Sequence, residues 1–140
     1  MKILLPVDGS DYTKRMLSYL AAHDELLGTA NTFHFLTVVA PITSYATRFL
    51  EQGTLENYYA EESERVLQPV RAYAAQHHWN YRATAAHGHA AMEIARTADA
   101  EKSDLIVMGS HGHGSLASVV MGSVTNAVLA RCKVPLLLIR

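Results

Sequence analysis

The sequence has little cysteine, little net charge and no long apolar run. Each of these features, if present, would indicate a cellular compartment or a class of partner. Its 140 residues include one cysteine, Cys132, which cannot form an internal disulfide. The formal net charge is −1, which gives no sign of a nucleic-acid-binding surface. No apolar run approaches the roughly 20 residues of a membrane span, and the apolar stretch before Asp8 is too short for a secretory signal. We therefore expect a cytoplasmic protein without a nucleic-acid partner or a membrane span.

Motifs of several enzyme classes are also missing. No lysine lies between Lys102 and Lys133, so the glycines of this region do not form a G-x-x-x-x-G-K-[ST] loop, and they do not complete G-x-G-x-x-G. A G-x-S-x-G nucleophile elbow is absent as well. Any nucleotide would be held by backbone amides and a hydroxyl, without a phosphate-gripping lysine. That favours binding over fast phosphoryl transfer.

What is present is an alternation of short apolar runs and amphipathic segments. Strands are predicted at residues 2–7, 33–39, 80–86, 105–108 and 135–139. Helices are predicted from Ser10 or Asp11 to Gly28 and at 54–78, 90–100 and 123–131, with Pro69 expected to kink or split the second. This βαβαβαβαβ order predicts one domain over residues 1–140, in the doubly wound α/β class with a parallel sheet covered on both faces.

The most informative stretch is residues 104–123, DLIVMGSHGHGSLASVVMGS. Gly109 is followed after two residues by Gly112, and after nine more by Gly122 and Ser123. The loop leaves a predicted strand and enters a predicted helix, whose N-cap we expect to be Ser123. At such a junction unpaired amides and the positive end of the helix dipole can receive an anion. The same spacing is also typical of a tight turn without a ligand.

Three segments together resemble the universal stress protein family: PVDGS at the end of the first strand, DLIVMGSHG, and GSVT ahead of the closing strand. The resemblance covers the whole chain. A G-x-x-G spacing with nine residues before G-[ST] is the mark of that family's ATP-binding branch. The resemblance implies a five-stranded parallel sheet in the order 3-2-1-4-5, with ATP lying across the C-terminal ends of the first and fourth strands.

The resemblance also implies which residues contact the nucleotide. Asp8 would contact the ribose instead of serving only as a helix cap, and Val39 or Val38 would lie against adenine. The other expected contacts to nucleotide are Pro6, Val7, Met108, Gly109, Gly112, Gly122, Ser123, Val124 and Thr125. Mg²⁺ would be held mainly by the phosphates and water. His113 stands where family members often carry arginine or lysine, so the cation that this position offers to phosphate is expected to be weak or pH-dependent.

The sequence also bears on two other kinds of site, a metal site formed by histidines and a phosphoacceptor site. Four histidines fall at predicted C-terminal strand ends: His87, His89, His111 and His113. The implied strand order separates the third and fourth strands by three steps, roughly 14 Å, which argues against a shared metal ion. A phosphoacceptor domain would need an acidic pair after the first strand and an aspartate ending the third, where His87 lies instead. Neither site is expected.

The sequence is thus interpreted as an ATP-binding, nucleotide-responsive regulator. The resemblance implies a homodimer joined through the last strand, from Val134 to Arg140, and an unidentified protein partner is possible. The loop from Ser110 to Met121 would be the moving element. Two alternatives stay open: slow ATP hydrolysis or self-phosphorylation, and a chaperone-like module with a vestigial nucleotide site.

Overall fold

The computed structural model describes residues 1–114 and 121–140. Its strands are β1 (Lys2–Pro6), β2 (Thr32–Val39), β3 (Asn80–His87), β4 (Leu105–Gly109) and β5 (Leu136–Ile139). Its helices are α1 (Asp11–Ala22), α2 (Asp24–Leu27), α3 (Ser44–Thr47), α4 (Gln52–Gln76), α5 (Ala90–Glu101) and α6 (Ser123–Arg131). All strand pairings are parallel, in the order β3-β2-β1-β4-β5. The predicted fold class and strand order are confirmed.

The central strands are apolar on both sides because helices cover both faces of the sheet. In β1, Ile3 and Leu5 point into a core with α1 and α4, whereas Leu4 points into a second core with α5 and α6. All three side chains are almost fully buried. Burial on both faces explains why the central strands read as continuous apolar runs without alternation.

The pairing of β1 with β4 is short. Register partners are Ile3 with Leu105 and Leu4 with Ile106, whereas β1 pairs with β2 along all five of its residues, Lys2–Pro6. The chain connections leave the sheet in opposite directions on the two sides of β1, which is the topological switch point of a doubly wound sheet. The two central strands thus separate toward their C-terminal ends, and a cleft begins there.

The first helix was predicted too long, and of the two alternatives for the long helix, a kink or a split at Pro69, the split was wrong. The first helix ends at Ala22, and the short α2 follows it before Gly28. The long helix is not split, because α4 runs from Gln52 to Gln76 with Pro69 inside it. Leu67 and Val70 on either side of the proline are buried against the sheet. This packing holds the helix together although proline removes one of its hydrogen bonds.

The last strand, β5, lies at an edge of the sheet, where β4 is its one strand neighbour among the described residues. The carbonyls of Pro135 and Ile139 accept hydrogen bonds from the N–H groups of Ile106 and Ser110 on the β4 side. In a parallel ladder successive residues direct their backbone N–H and C=O groups to opposite sides of the strand. Those of Leu136 and Leu138 therefore face the open edge. Within the described ranges, no helix is long and apolar enough to cross a membrane.

Candidate functional site

A cleft of about 360 Å³ lies at the C-terminal ends of β1 and β4. Every residue predicted to contact a nucleotide lines it except Val39: these are Pro6, Val7, Asp8, Val38, Met108, Gly109, Gly112, His113, Gly122, Ser123, Val124 and Thr125. The sequence left Val38 and Val39 as alternatives, and alternation along β2 separates them. Val38 packs with Leu36 on the α5 side of the sheet, and Leu36 also lines the cleft. Val39 extends to the other side.

Several lining residues were missed by the sequence reasoning. They are Thr13, Leu36, Ala90, Ile94, His111 and Gly114. Leu36 and Ile94 are buried core residues whose apolar character gave no reason to separate them from the rest of the core. Thr13 lies in the first turn of α1 and is also buried. Their contribution to the cleft depends on strand register and helix packing, which local sequence patterns do not specify.

Asp8 connects β1 to α1 and also faces the cleft. Its Oδ1 accepts hydrogen bonds from the Ser10 N–H and the Thr13 hydroxyl, both at 2.9 Å, and its own N–H donates to Thr13 Oγ1 at 3.1 Å. Ser10 is the N-cap of α1 but makes no side-chain capping bond, so the carboxylate of Asp8 organises this turn. The next residue, Gly9, has φ of +76°, a left-handed conformation that favours glycine. The Oδ1 atom is therefore committed to the fold.

The second oxygen of Asp8 lies against Gly112. A Cβ atom placed on Gly112 would come within 2.6 Å of Asp8 Oδ2, so the end of the Asp8 side chain would have to move. Gly109 is more strictly required, since its Cβ would lie 2.6 Å from Cβ of Tyr12, an atom attached directly to the backbone of α1. A Cβ on Gly122 would lie 3.2 Å from the Ser110 carbonyl oxygen. The three glycines thus let the loop approach Asp8, α1 and its own start closely.

Helix α6 begins at the cleft. Its N-cap is Gly122, which has extended backbone and whose carbonyl accepts the Asn126 N–H at 3.1 Å. The predicted N-cap, Ser123, is instead the first helical residue, because the chain already enters the helix at Gly122. The amides of Ser123, Val124 and Thr125 therefore belong to the first turn, where no intrahelical acceptor exists for them. This places the positive end of the helix dipole at the cleft.

The start of α6 is tied to the end of β4. The Gly122 N–H donates to the Ser110 carbonyl at 2.8 Å. The buried hydroxyl of Thr125 donates to the carbonyls of Gly109 and Ser110, each at 3.3 Å. Because the one hydroxyl hydrogen of Thr125 is shared between these carbonyls, the amide is the donor that Thr125 can offer a ligand. The helix terminus is held in position by these bonds.

Two histidines flank Gly112 in the cleft. Nε2 of His113 lies 2.7 Å from the carbonyl oxygen of Asp8. Nδ1 of His111 lies 3.0 Å from the buried hydroxyl of Ser110, and its ring centre is 5.2 Å from that of Tyr12. No lysine or arginine lines the cleft within the described ranges. Residues 115–120 of the loop expected to move, Ser110 to Met121, lie outside the described residues.

The histidines do not assemble a metal centre in the part of the chain that the structure describes. Residues 1–114 and 121–140 contain no group of three histidine, cysteine, aspartate or glutamate side chains that could hold an ion. His87, at the end of β3, instead packs its ring 4.6 Å from the ring of Tyr59 in α4.

A second polar cluster lies near the N-terminal ends of the strands, far along the sheet from the cleft. His34 in β2 is buried, with Nδ1 2.8 Å from Oε2 of Glu101 in α5 and Nε2 2.7 Å from the hydroxyl of Thr84 in β3. Arg82 in β3 also pairs with Glu101. Burial lowers the pKa of His34 below its ordinary value, and the hydrogen bond to Glu101 opposes this in part. Because a carboxylate can only accept a hydrogen bond, His34 donates to Glu101 through an N–H on Nδ1.

The whole length of the chain fits one family. The sequence profile of the Universal stress protein family matches residues 1–140. The chain belongs to the universal stress protein family. A universal stress protein of Thermus aquaticus, named for its place in the 3' region of a QAH/OAS sulfhydrylase gene, is 33% identical over 141 residues. The match covers 99% of this chain and 97% of that relative.

Solved structures extend the comparison. The structure of MJ0577, a universal stress protein of Methanocaldococcus jannaschii, is 27% identical with a TM-score of 0.84, covering 99% of this chain and 94% of that one. A universal stress protein solved in complex with cAMP is 20% identical, with a TM-score of 0.66, and covers 100% of this chain and 96% of its own. An Arabidopsis thaliana family member solved with AMP bound is 12% identical, with a TM-score of 0.72 and coverages of 99% and 90%. These last two share the fold.

Proposed function

We propose that the cleft binds an adenine nucleotide, ATP together with Mg²⁺, and that binding regulates a homodimer. The observation that carries this proposal is the opposition of Asp8 Oδ2 and the first turn of α6 across one glycine-lined cleft. A carboxylate oxygen accepts hydrogen bonds from ribose hydroxyls, and helix-terminal amides donate to phosphate. The cleft volume of about 360 Å³ falls within the range of small-molecule sites.

Each part of a nucleotide has a matching surface. Leu36, Val38 and Ile94 give an apolar wall on the α5 side, where an adenine ring would pack. Asp8 Oδ2 lies where a ribose would be held. The amides of Gly112, Ser123 and Val124 would face the phosphates, and the divalent ion would be coordinated mainly by phosphate oxygens and water. The AMP and cAMP bound in two proteins of the same fold support an adenine nucleotide.

Calorimetric titration tests the site directly. We expect Mg²⁺-ATP to bind the nucleotide-stripped protein, and Gly112→Ala to weaken binding by at least about tenfold, because the new methyl group displaces Asp8 Oδ2. The matched control is Gly53→Ala in α4, where the added Cβ meets nothing within 4 Å. Titrations with AMP and cAMP would show how much the outer phosphates contribute. Unchanged affinity in a folded Gly112→Ala protein would refute the proposed site.

The dimer would form through the open edge of β5. Edge strands with unpaired backbone groups invite pairing, and Leu136 and Leu138 direct theirs outward. Leu138→Pro removes one outward N–H while leaving the β4 ladder intact, so we expect it to convert dimer to monomer. Light scattering on the eluting protein measures the mass. A dimer that persists in Leu138→Pro would place the interface elsewhere.

Slow ATP hydrolysis or self-phosphorylation is the rival to a binding role. The hydrogen bond between Ser110 and His111 places an imidazole nitrogen beside a hydroxyl, but that hydroxyl is 2% exposed, which restricts access to a phosphate. We therefore favour binding without turnover. Timed product analysis, with Asp8→Ala to reveal contaminating ATPase, separates the two: product that forms at equal rates in both proteins does not come from this cleft.

A further inference from the structure

The cleft is poor in permanent positive charge. The sequence has no lysine or arginine between Lys102 and Arg131, a range that contains the whole glycine loop and the first turns of α6. Among the described residues that line the cleft, the side chains that can carry charge near neutral pH are Asp8, His111 and His113. A nucleotide carries several negative charges. Any cationic side chain on its phosphates from this loop must therefore be a histidine.

His113 is fixed so that one defined nitrogen can gain a proton. Its Nε2 lies 2.7 Å from the Asp8 carbonyl oxygen, which can only accept a hydrogen bond, so Nε2 carries the N–H. Nδ1 of the neutral ring is then a bare acceptor, and it has no hydrogen-bond partner among the described residues. Protonation at Nδ1 leaves the bond to Asp8 in place. The ring can thus change charge without a change of position.

The surroundings of His113 contain few competing charges. The carboxylate of Asp8 comes from the turn between β1 and α1. Helix α1 adds Tyr12, whose ring contacts His111, and Arg15, whose guanidinium carbon lies 5.2 Å from the centre of the Tyr12 ring. His111 belongs to the same loop. The lining residues of α5 are Ala90 and Ile94, and the first turn of α6, through Asn126, carries no charged side chain. The phosphates would therefore be the largest new charge that His113 meets.

We propose that His113 is a proton-linked phosphate ligand: it takes up a proton at Nδ1 when nucleotide binds, and nucleotide affinity rises as pH falls. The inference rests on the proposed function of the cleft. Because binding stabilises the imidazolium, proton uptake and nucleotide binding favour each other by the same factor. The loop thus offers the phosphates a histidine in place of a permanent cation, and this histidine is more often protonated as pH falls.

Calorimetric titrations between pH 8 and pH 6, each in two buffers of different ionisation enthalpy, measure affinity and proton uptake together. We expect the affinity of the parent for Mg²⁺-ATP to rise about tenfold across this range, since one linked proton contributes at most tenfold per pH unit. In His113→Gln the affinity should be low at both pH values. In His113→Lys it should be high at both, because lysine stays charged. In both variants, nucleotide binding should no longer be accompanied by proton uptake at this position.

The controls separate His113 from other titrating groups. The phosphate group of the nucleotide itself titrates near pH 6, but it does so equally with every variant, so the difference between parent and His113→Gln isolates the histidine. His78→Asn removes an exposed histidine distant from the cleft, at φ of 55°, where asparagine is tolerated. This variant should behave like the parent.

Two results would contradict the inference in different ways. If the parent binds nucleotide with the same pH dependence as His113→Gln and His113→Lys, His113 is not proton-linked although the cleft is the nucleotide site. If no protein binds nucleotide at any pH, the proposed function fails and the inference fails with it. A histidine NMR titration of the parent, with and without nucleotide, gives an independent reading: the His113 signal should titrate at higher pH when nucleotide is bound.

Discussion

Each end of the sheet contains a histidine in a polar cluster. The two clusters differ in how many of their polar atoms have hydrogen-bond partners within the protein. Near the N-terminal strand ends, both ring nitrogens of His34 are hydrogen-bonded and its side chain is 7% exposed. At the C-terminal ends, His113 is exposed, and among the described residues it is hydrogen-bonded through one nitrogen. Asp8 shows the same division within one side chain, since Oδ1 is committed and Oδ2 faces the cleft.

This difference separates polar groups that build the fold from those that can serve a ligand. Glu101 links His34 of β2 and Arg82 of β3 to α5, so its bonds join three elements and leave little capacity for a partner. A buried polar group contributes to stability when its partners are inside the protein. At the cleft, donors and acceptors remain at the surface on a rigid support, which is the arrangement that binding sites require.

The largest effect should come from removing the cleft's carboxylate. We expect Asp8→Ala to weaken nucleotide binding about a hundredfold, close to 2.7 kcal/mol, because the ribose acceptor and the order of the Ser10–Thr13 turn are both lost. Calorimetry measures the affinity and a denaturant curve measures stability. The matched control is Asp11→Ala, which removes an exposed aspartate paired with Lys14 in the first turn of α1. Equal losses of affinity in both variants would mean that Asp8 has no special role.

A smaller effect, on the free energy of unfolding alone, should follow a change in the opposite cluster. Glu101→Ala leaves His34 and Arg82 without their carboxylate, and we expect it to destabilise the protein by about 1–2 kcal/mol. Nucleotide affinity should stay at the parental value. Glu64→Ala, which breaks an exposed pair with Arg71, is the control and should cost less than about 0.5 kcal/mol. Loss of nucleotide binding in a stable Glu101→Ala protein would show that the two ends are coupled.

The smallest effect is a pH dependence of stability that belongs to His34. Because burial lowers its pKa below the ordinary 6.5, the unfolded chain binds more protons than the native state. Stability is therefore lost as pH falls through about 6.5, at no more than about 1.4 kcal/mol per pH unit. Denaturant curves from pH 7.5 to 5 should show this loss in the parent and a smaller one in His34→Gln. An equal loss of stability in both proteins would show that groups other than His34 cause it.

The comparison also explains how far the sequence could predict the molecule. Features encoded by neighbouring residues were predicted well: the strands, the glycine loop and the bounds of α6, Ser123–Arg131. Asp8 and Gly112 were both assigned to the site from short motifs, and the structure brings them together. Their contact with a nucleotide stays a prediction. These features are encoded by neighbouring residues, so they can be recognised without knowledge of the fold.

Features that depend on distant residues were not predicted. His34, Thr84 and Glu101 are far apart in the chain, and no local pattern connects a histidine in one strand with a glutamate at the end of a later helix. Choosing Val38 over Val39 required knowledge of which face of β2 packs on α5. The continuity of α4 through Pro69 required the burial of its neighbours. In each case tertiary packing outweighed or completed the local preference.

The bond from the Gly122 N–H to the Ser110 carbonyl, 2.8 Å long, has a consequence for engineering. This bond brings the two ends of the loop together beside the cleft, at the end of β4. The entropy of closing a loop rises slowly with its length, and doubling the length costs only roughly 0.6 kcal/mol. A fluorescent domain whose own termini are adjacent could therefore be inserted directly after Gly114, beyond the residues that line the first part of the loop. Its emission would then report on whatever the cleft binds.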